Sequence, residues 1–94
     1  MSLEREEIRI ALLGKGFREK TFGDHDRYWL YIGEQKQAIF TKLSRGSGYR
    51  TYGDKLVADV AKQLRLTRPD LRKLVACNID GTEYVAILRN NGKL

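Results

Sequence analysis

The sequence has few of the residues that build disulfides, metal centres and membrane helices. Its single cysteine, Cys77, excludes an intrachain disulfide, and one cysteine with one histidine supports neither a zinc site nor a cysteine–histidine nucleophile. We expect Cys77 to be a small buried residue, because free cysteines are among the most buried residue types. Apolar runs without a charge are far shorter than the ~20 residues of a membrane helix. The sequence therefore predicts no metal, no cofactor and no membrane partner.

The first residues lack the basic start and apolar middle that are typical of a signal peptide. With a single cysteine, this favours the cytoplasm. A chain of 94 residues has room for one domain, residues 1–94, with a thin hydrophobic core. Hydrophobic residues make up 41% and charged residues 32% of the chain, which is typical of a globular protein and not of a disordered one.

Positive charge is in excess and unevenly distributed. The net charge is +6, and residues 36–73 hold ten basic and three acidic residues, a net +7, while the rest of the chain sums to −1. The basic residues of this span are Lys36, Lys42, Arg45, Arg50, Lys55, Lys62, Arg65, Arg68, Arg72 and Lys73. A concentrated excess indicates a polyanionic partner such as RNA. A merely soluble surface is the alternative, and the cations from Lys62 onward are also typical of a solvated helix face.

Periodicity and turn residues predict a mixed fold. The predicted elements are a helix over 3–13, strands over 17–22, 25–32 and 37–43, a helix over 54–64, and two short helices over 68–77 and 81–89. Helices on both sides of a three-strand meander can cover one sheet face, so we expect an α+β two-layer sandwich. Its core spans about residues 3–66, and a helical C-terminal extension covers 67–90. The α-β-β-β-α order is that of the double-stranded-RNA-binding domain.

The strand predicted over 25–32 has two different faces. Alternation places His25, Arg27, Trp29 and Tyr31 on one face and Asp26, Tyr28, Leu30 and Ile32 on the other. The second is more typical of a core face. The first is a candidate RNA platform, with arginine for phosphate, rings for base stacking and histidine for proton transfer. Alternatively, Trp29 and Tyr31 are buried or contact another protein, and His25 is only a turn residue.

The loop predicted over 44–53 is a second candidate site. Its three glycines allow backbone N–H groups to approach a ligand, and the following helix N-terminus favours phosphate. The candidate RNA-binding residues here are Lys42, Arg45, Tyr49, Arg50 and Lys55. No Walker motif is present, because no Gly-Lys-Ser/Thr follows. The alternative is a flexible surface crossover, since Asp54, the predicted helix cap, occupies some of the N–H donors.

Residues 16–28 have the sequence Gly-Phe-Arg-Glu-Lys-Thr-Phe-Gly-Asp-His-Asp-Arg-Tyr and follow Lys15. This segment resembles the core of HicA-family toxins, which are small basic mRNA interferases of type II toxin–antitoxin pairs. That family has a helix ending in Lys-x-Gly-Phe, a strand, Gly-Ser-His and an aromatic strand, then a third strand, a basic loop and a helix. The resemblance covers about residues 5–66. It differs at Asp24, which replaces the serine, at Asp26, which replaces a common second histidine, and in the two added helices.

The resemblance implies a double-stranded-RNA-binding-like fold, mRNA cleavage with His25 as the catalytic histidine, and a cognate antitoxin protein. The mechanism would be transesterification, in which His25 transfers a proton and Arg45 or Arg50 stabilises the phosphorane charge. Two other functions fit the same residues: a non-catalytic RNA-binding module, and a protein-interaction domain that docks through Trp29 and Tyr31. Monomer and homodimer are both consistent with the sequence.

Overall fold

The computed structural model describes residues 3–23, 25–44 and 50–94. In these ranges the elements are β1 (Leu3–Glu4), α1 (Arg5–Leu13), β2 (Phe17–Phe22), β3 (His25–Ile32), β4 (Gln35–Ser44), β5 (Thr51–Tyr52), α2 (Asp54–Gln63), α3 (Arg68–Val75) and α4 (Gly81–Asn90). The fold class is α+β, as predicted. None of the described helices is long and apolar enough to cross a membrane.

Strands β2, β3 and β4 form an antiparallel sheet in that spatial order. The β3–β4 register runs from His25↔Ser44 to Ile32↔Gln35, with an irregularity after Trp29. The hairpin is tighter than the predicted loop over residues 33–36. Gly33 has a φ of +61°, which permits a two-residue turn and lets β4 begin at Gln35.

Helices cover one face of this sheet. Tyr28 and Leu30 of β3 are buried in a single hydrophobic cluster that includes residues of every described helix. The helical members are Ile8 and Leu12 of α1, Val57, Val60 and Ala61 of α2, Leu71 and Leu74 of α3, and Tyr84 and Leu88 of α4. On the opposite face, the β3 side chains of His25, Arg27, Trp29 and Tyr31 are exposed or half-buried. The two faces of β3 are therefore those that the alternation predicts.

The two C-terminal helices complete this core. α3 packs against both α1 and α2, and Leu71 and Leu74 are fully buried. In α4, the buried Tyr84 hydroxyl donates a hydrogen bond to the Leu64 carbonyl at 2.8 Å. Leu88 is likewise fully buried. The segment predicted as an extension thus supplies part of the same hydrophobic cluster as the rest of the chain.

Helices α2 and α3 are each followed, two positions after their last residue, by a left-handed residue that is not glycine. Arg65 has a φ of +62° and Cys77 a φ of +63°. Each is followed by the backbone hydrogen bond of a Schellman motif, from Leu66 N–H to the Ala61 carbonyl and from Asn78 N–H to the Lys73 carbonyl, both at 2.8 Å. The left-handed region favours glycine, because a Cβ is crowded there.

Three local predictions are wrong. Cys77 is exposed, because it follows the last turn of α3. Leu3 and Glu4 form a strand instead of a helical turn, since they pair with β5, which the sequence did not predict. Asp54 is not the cap of α2. Gly53 holds that position in an extended conformation, and Asp54 is the first helical residue.

Candidate functional site

The uncovered side of the sheet brings basic and aromatic side chains from three strands together. They are Arg18 and Lys20 of β2, His25, Arg27, Trp29 and Tyr31 of β3, and Lys36, Phe40, Lys42 and Ser44 of β4. We call these ten residues the open face. Lys42 lies opposite Arg27 in the register, and Phe40 lies opposite Trp29. None of the ten is acidic, so the open face attracts anions.

The aromatic rings of the open face are stacked with each other and with cations. The Trp29 and Phe40 ring centres are 4.3 Å apart at 20°. Lys36 Nζ is 3.9 Å from the Trp29 ring centre. The Arg18 guanidinium lies 4.1 Å from the Tyr31 ring centre in the same manner.

His25 lies at one end of the open face and is exposed. Its Nδ1 is 3.1 Å from Ser44 Oγ, across the last pair of the β3–β4 register. A neutral imidazole that hydrogen-bonds through Nδ1 keeps Nε2 for a second partner. The arrangement suits transfer of a proton to or from a bound molecule.

Arg5 ties the surroundings of His25 together. Its backbone N–H donates to the Arg50 carbonyl at 2.8 Å, and its Nε donates to the Ser44 carbonyl at 3.1 Å. Its Nη2 lies 2.6 Å from Asp26 Oδ2 in a largely buried ion pair. Arg5 therefore links the end of β4 at Ser44, the residue before β5 and the start of β3. Asp26 faces the helices and not the open face.

The remaining predicted site residues have different positions. Arg45 and Tyr49 lie outside the described residues. Lys42 is exposed on the open face. Arg50 is exposed immediately before β5, and Lys55 is exposed in the first turn of α2, in the helical layer. Lys42 therefore lies on the same sheet face as His25, Arg27, Trp29 and Tyr31, whereas Lys55 lies in the helical layer.

The described cations of the basic span 36–73 do not form one patch. Lys36 and Lys42 belong to the open face, whereas Arg68 and Lys73 are carried by α3 on the far side of the core. The open face gains its other cations from β2 and β3, which precede the span. Charge that is concentrated in sequence is therefore divided between two layers in space.

A groove continues from the open face around β4, which is an edge strand. It has a volume of about 220 Å³ and is lined by Ala38, Phe40, Lys62, Gln63 and Arg65. Thr41 donates a hydrogen bond to the Gln63 side chain and so fixes the end of α2 against β4. A larger cavity, of about 630 Å³, lies between α4 and the Tyr31 end of β3, at the opposite end of that strand from His25.

Sequence reasoning missed five contributors to this surface, namely Arg18, Lys20, Lys36, Phe40 and Ser44. The period-two alternation of β4 was a usable signal for Phe40, because it sets residue 40 on the same face as residues 42 and 44. The partnership of Phe40 with Trp29 depends on register, which alternation alone does not give. Lys36 was assigned to a loop and so had no predicted face.

Comparison with protein-family models, curated proteins and solved structures finds no match. The functional assignment therefore rests on the residues of this chain. Within the described ranges, no three His, Cys, Asp or Glu side chains are grouped so that they could hold a metal ion.

Proposed function

We propose that this protein binds RNA on the open face and cleaves it beside His25, as a HicA-like mRNA interferase. One observation carries the proposal: the hydrogen-bonded His25–Ser44 pair shares a sheet face with a row of cations and aromatic rings. Guanidinium and ammonium groups suit phosphate, rings suit bases, and an imidazole suits proton transfer near neutral pH.

The fold we propose is a double-stranded-RNA-binding-like sandwich. The order α1-β2-β3-β4-α2 and the placement of the helices on one sheet face support it. In this arrangement α3 and α4 are additions to the helical layer. They leave the open face uncovered, so they are compatible with an accessible site.

The proposed reaction is an intramolecular transesterification. The ribose 2′-oxygen attacks the adjacent phosphorus, and the bond from phosphorus to the 5′-oxygen of the next nucleotide breaks, which leaves a 2′,3′-cyclic phosphate. His25 either accepts the proton of the 2′-hydroxyl or donates one to the departing 5′-oxygen, and the other proton exchanges with water. Arg27 on the same face, with Arg50 or Arg45 as the sequence predicts, would stabilise the extra charge on the phosphorane.

The test is cleavage of a long mRNA by wild-type protein and by His25→Ala, with gel-shift binding measured on the same samples. We expect cleavage to fall about 10²–10⁴-fold while binding is retained, because an exposed histidine can be replaced without loss of the core. Gln35→Ala is the matched control, since Gln35 is also exposed and lies at the other end of the same strand pair. Cleavage by His25→Ala at the wild-type rate would disprove the catalytic role.

A second candidate function is a docking domain for another protein, for which a cognate antitoxin in the cytoplasm is our proposed partner. The observation in its favour is that Trp29, Tyr31 and Phe40 remain half-buried on an uncovered face. In the cleavage and gel-shift assay, RNA binding by wild type and by His25→Ala with no cleavage by either would indicate a non-catalytic RNA-binding module. No RNA binding even at low salt would leave the protein partner, whose apolar contacts respond little to salt.

A further inference from the structure

We infer that the open face recognises unpaired RNA, with one base stacked against the Trp29–Phe40 pair and an adjoining phosphate held by Lys62 and Arg65 in the groove beside β4. The inference rests on the proposed function and specifies which form of RNA the site takes. It depends on the ring stack, on the geometry of duplex RNA and on the conformation of Arg65.

The ring stack has a face that a base can take. Trp29 stacks on Phe40, and the Lys36 ammonium lies 3.9 Å from the Trp29 ring centre. Lys36 is an exposed lysine, so its contact with the ring is weak and readily exchanged. A nucleobase stacks on an aromatic ring more strongly than an exposed cation does. A base can therefore displace Lys36 from Trp29 and leave the ammonium beside the incoming phosphate.

Duplex RNA cannot use this face in the same way. Its bases are stacked on each other, and its major groove is too deep and narrow for side chains to reach their edges. A duplex would offer only phosphates and 2′-hydroxyls to the open face, and the half-buried rings of Trp29 and Phe40 would gain no partner. The juxtaposition of stacked rings with cations is the combination that single-stranded nucleic-acid sites use.

Arg65 extends the site into the groove. It lines the groove together with Lys62 and with Phe40, which also belongs to the ring stack. Its φ of +62° is a conformation that favours glycine, and an arginine there costs stability that a glycine would not. Cys77 occupies the equivalent position after α3, with a φ of +63° and no part in the groove. The chain thus provides a natural matched control.

The first experiment uses Trp29, the only tryptophan in the chain, as a reporter at the site. The His25→Ala protein, which leaves the RNA intact, is titrated with a labelled oligoribonucleotide of about ten nucleotides, alone or annealed to its complement. Label anisotropy gives the affinity, and tryptophan fluorescence reports stacking. We expect the single strand to bind at least about tenfold more tightly than the duplex and to quench Trp29.

The second experiment compares variants against both RNAs. Phe40→Leu removes the ring but keeps an apolar side chain, and we expect it to weaken single-strand binding about tenfold and duplex binding hardly at all. Arg65→Gly and Cys77→Gly should both raise the unfolding temperature, because each relieves a left-handed residue. Only Arg65→Gly should weaken single-strand binding, by about threefold to tenfold.

The outcomes separate this inference from the proposed function. Absence of RNA binding by anisotropy at low salt would overturn both. Binding of RNA with equal or higher affinity for the duplex, or with no change in Trp29 fluorescence, would overturn the inference and leave the proposed function standing. Equal RNA affinity of Arg65→Gly and Cys77→Gly would remove Arg65 from the site.

Discussion

Arg5 contacts three separate parts of the chain beside His25. It pairs with Asp26, binds the Ser44 carbonyl through its side chain and binds the Arg50 carbonyl through its backbone. The side chains of Arg5 and Asp26 are only 12% and 8% exposed. Loss of Arg5 removes the guanidinium that lies 2.6 Å from a buried carboxylate, and breaking a buried ion pair in this way is strongly destabilising.

We expect Arg5→Ala to lower the free energy of unfolding by about 3–5 kcal/mol, measured by urea denaturation. The control is Arg18→Ala, whose partner Glu34 is 91% exposed, and it should cost less than about 1 kcal/mol. Similar losses for the two variants would show that the Arg5–Asp26 pair is not a buried one in solution.

Glu19 is a second residue whose environment matters, because hydrogen bonds to its carboxyl lower the pKa of that group. Hydrogen bonds from the Tyr28 hydroxyl and from Arg9 hold the pKa of the Glu19 carboxyl below its ordinary value of 4.5. Burial, followed by the hydrogen bond to Glu19, raises the pKa of Tyr28 above its ordinary value. Tyr28 therefore stays protonated and remains a donor to Glu19 throughout the acid range.

The lowered pKa of Glu19 predicts a dependence of stability on pH. Just below pH 4.5 the unfolded chain binds a proton at Glu19 that the folded chain does not, so this contribution is complete above 4.5 and is lost as the pH falls through the folded value. Glu19→Gln should therefore lose less stability than wild type between about pH 5.5 and about pH 3 in thermal unfolding.

At the scale of elements, α3 and α4, which the sequence predicts as a C-terminal extension, belong to the core. The four fully buried side chains that they contribute are Leu71, Leu74, Tyr84 and Leu88. Burial of one such side chain is worth about 1.5–3 kcal/mol, so four contribute about 6–12 kcal/mol, which is comparable with the total stability of a small domain. Without these helices the sheet would lose part of its cover.

We expect a chain that ends at Leu66 to lose cooperative unfolding, as measured by circular dichroism and by the dispersion of amide resonances. A chain that ends at Asn90 should unfold as wild type does, because residues 91–94 are exposed and lie after α4. A cooperative transition in the shorter chain would show that residues 3–66 form an independent core.

At the scale of the whole molecule, the sheet separates two sets of cations. Arg27 and Lys42 lie opposite each other on the open face, and Arg68 and Lys73 lie on α3. Total charge attracts RNA from a distance whichever layer carries it, but only contacts with phosphate displace bound counterions. The salt dependence of binding therefore identifies the layer that touches RNA.

We expect the double variant Arg27→Ala/Lys42→Ala to reduce the slope of log affinity against log salt by about 1.4, since each lost phosphate contact on a single strand contributes about 0.7. Arg68→Ala/Lys73→Ala removes the same charge and should leave the slope nearly unchanged. An equal decrease in both variants would mean that net charge, and not the open face, governs binding.

Local patterns were sufficient for much of the fold. The bounds of β2 and β3 are those predicted, and the predicted helices after residue 67 begin at local caps, with Thr67 accepting from Asp70 N–H at α3 and an Asp80–Glu83 capping box at α4. These features depend on residues one to four positions apart, so their signals are contained in short stretches of sequence.

The sequence by itself determined the order of the four helices and of strands β2 to β4, the inward and outward faces of β3 and the absence of a disulfide, because alternation, capping and composition are properties of neighbouring residues. Only the tertiary structure decided the pairing of Trp29 with Phe40, the clamp formed by Arg5, the exposure of Cys77 and the division of the basic span between two layers. These depend on strand register and on which layer each element joins, and both are set by burial of the shared core across long sequence separations.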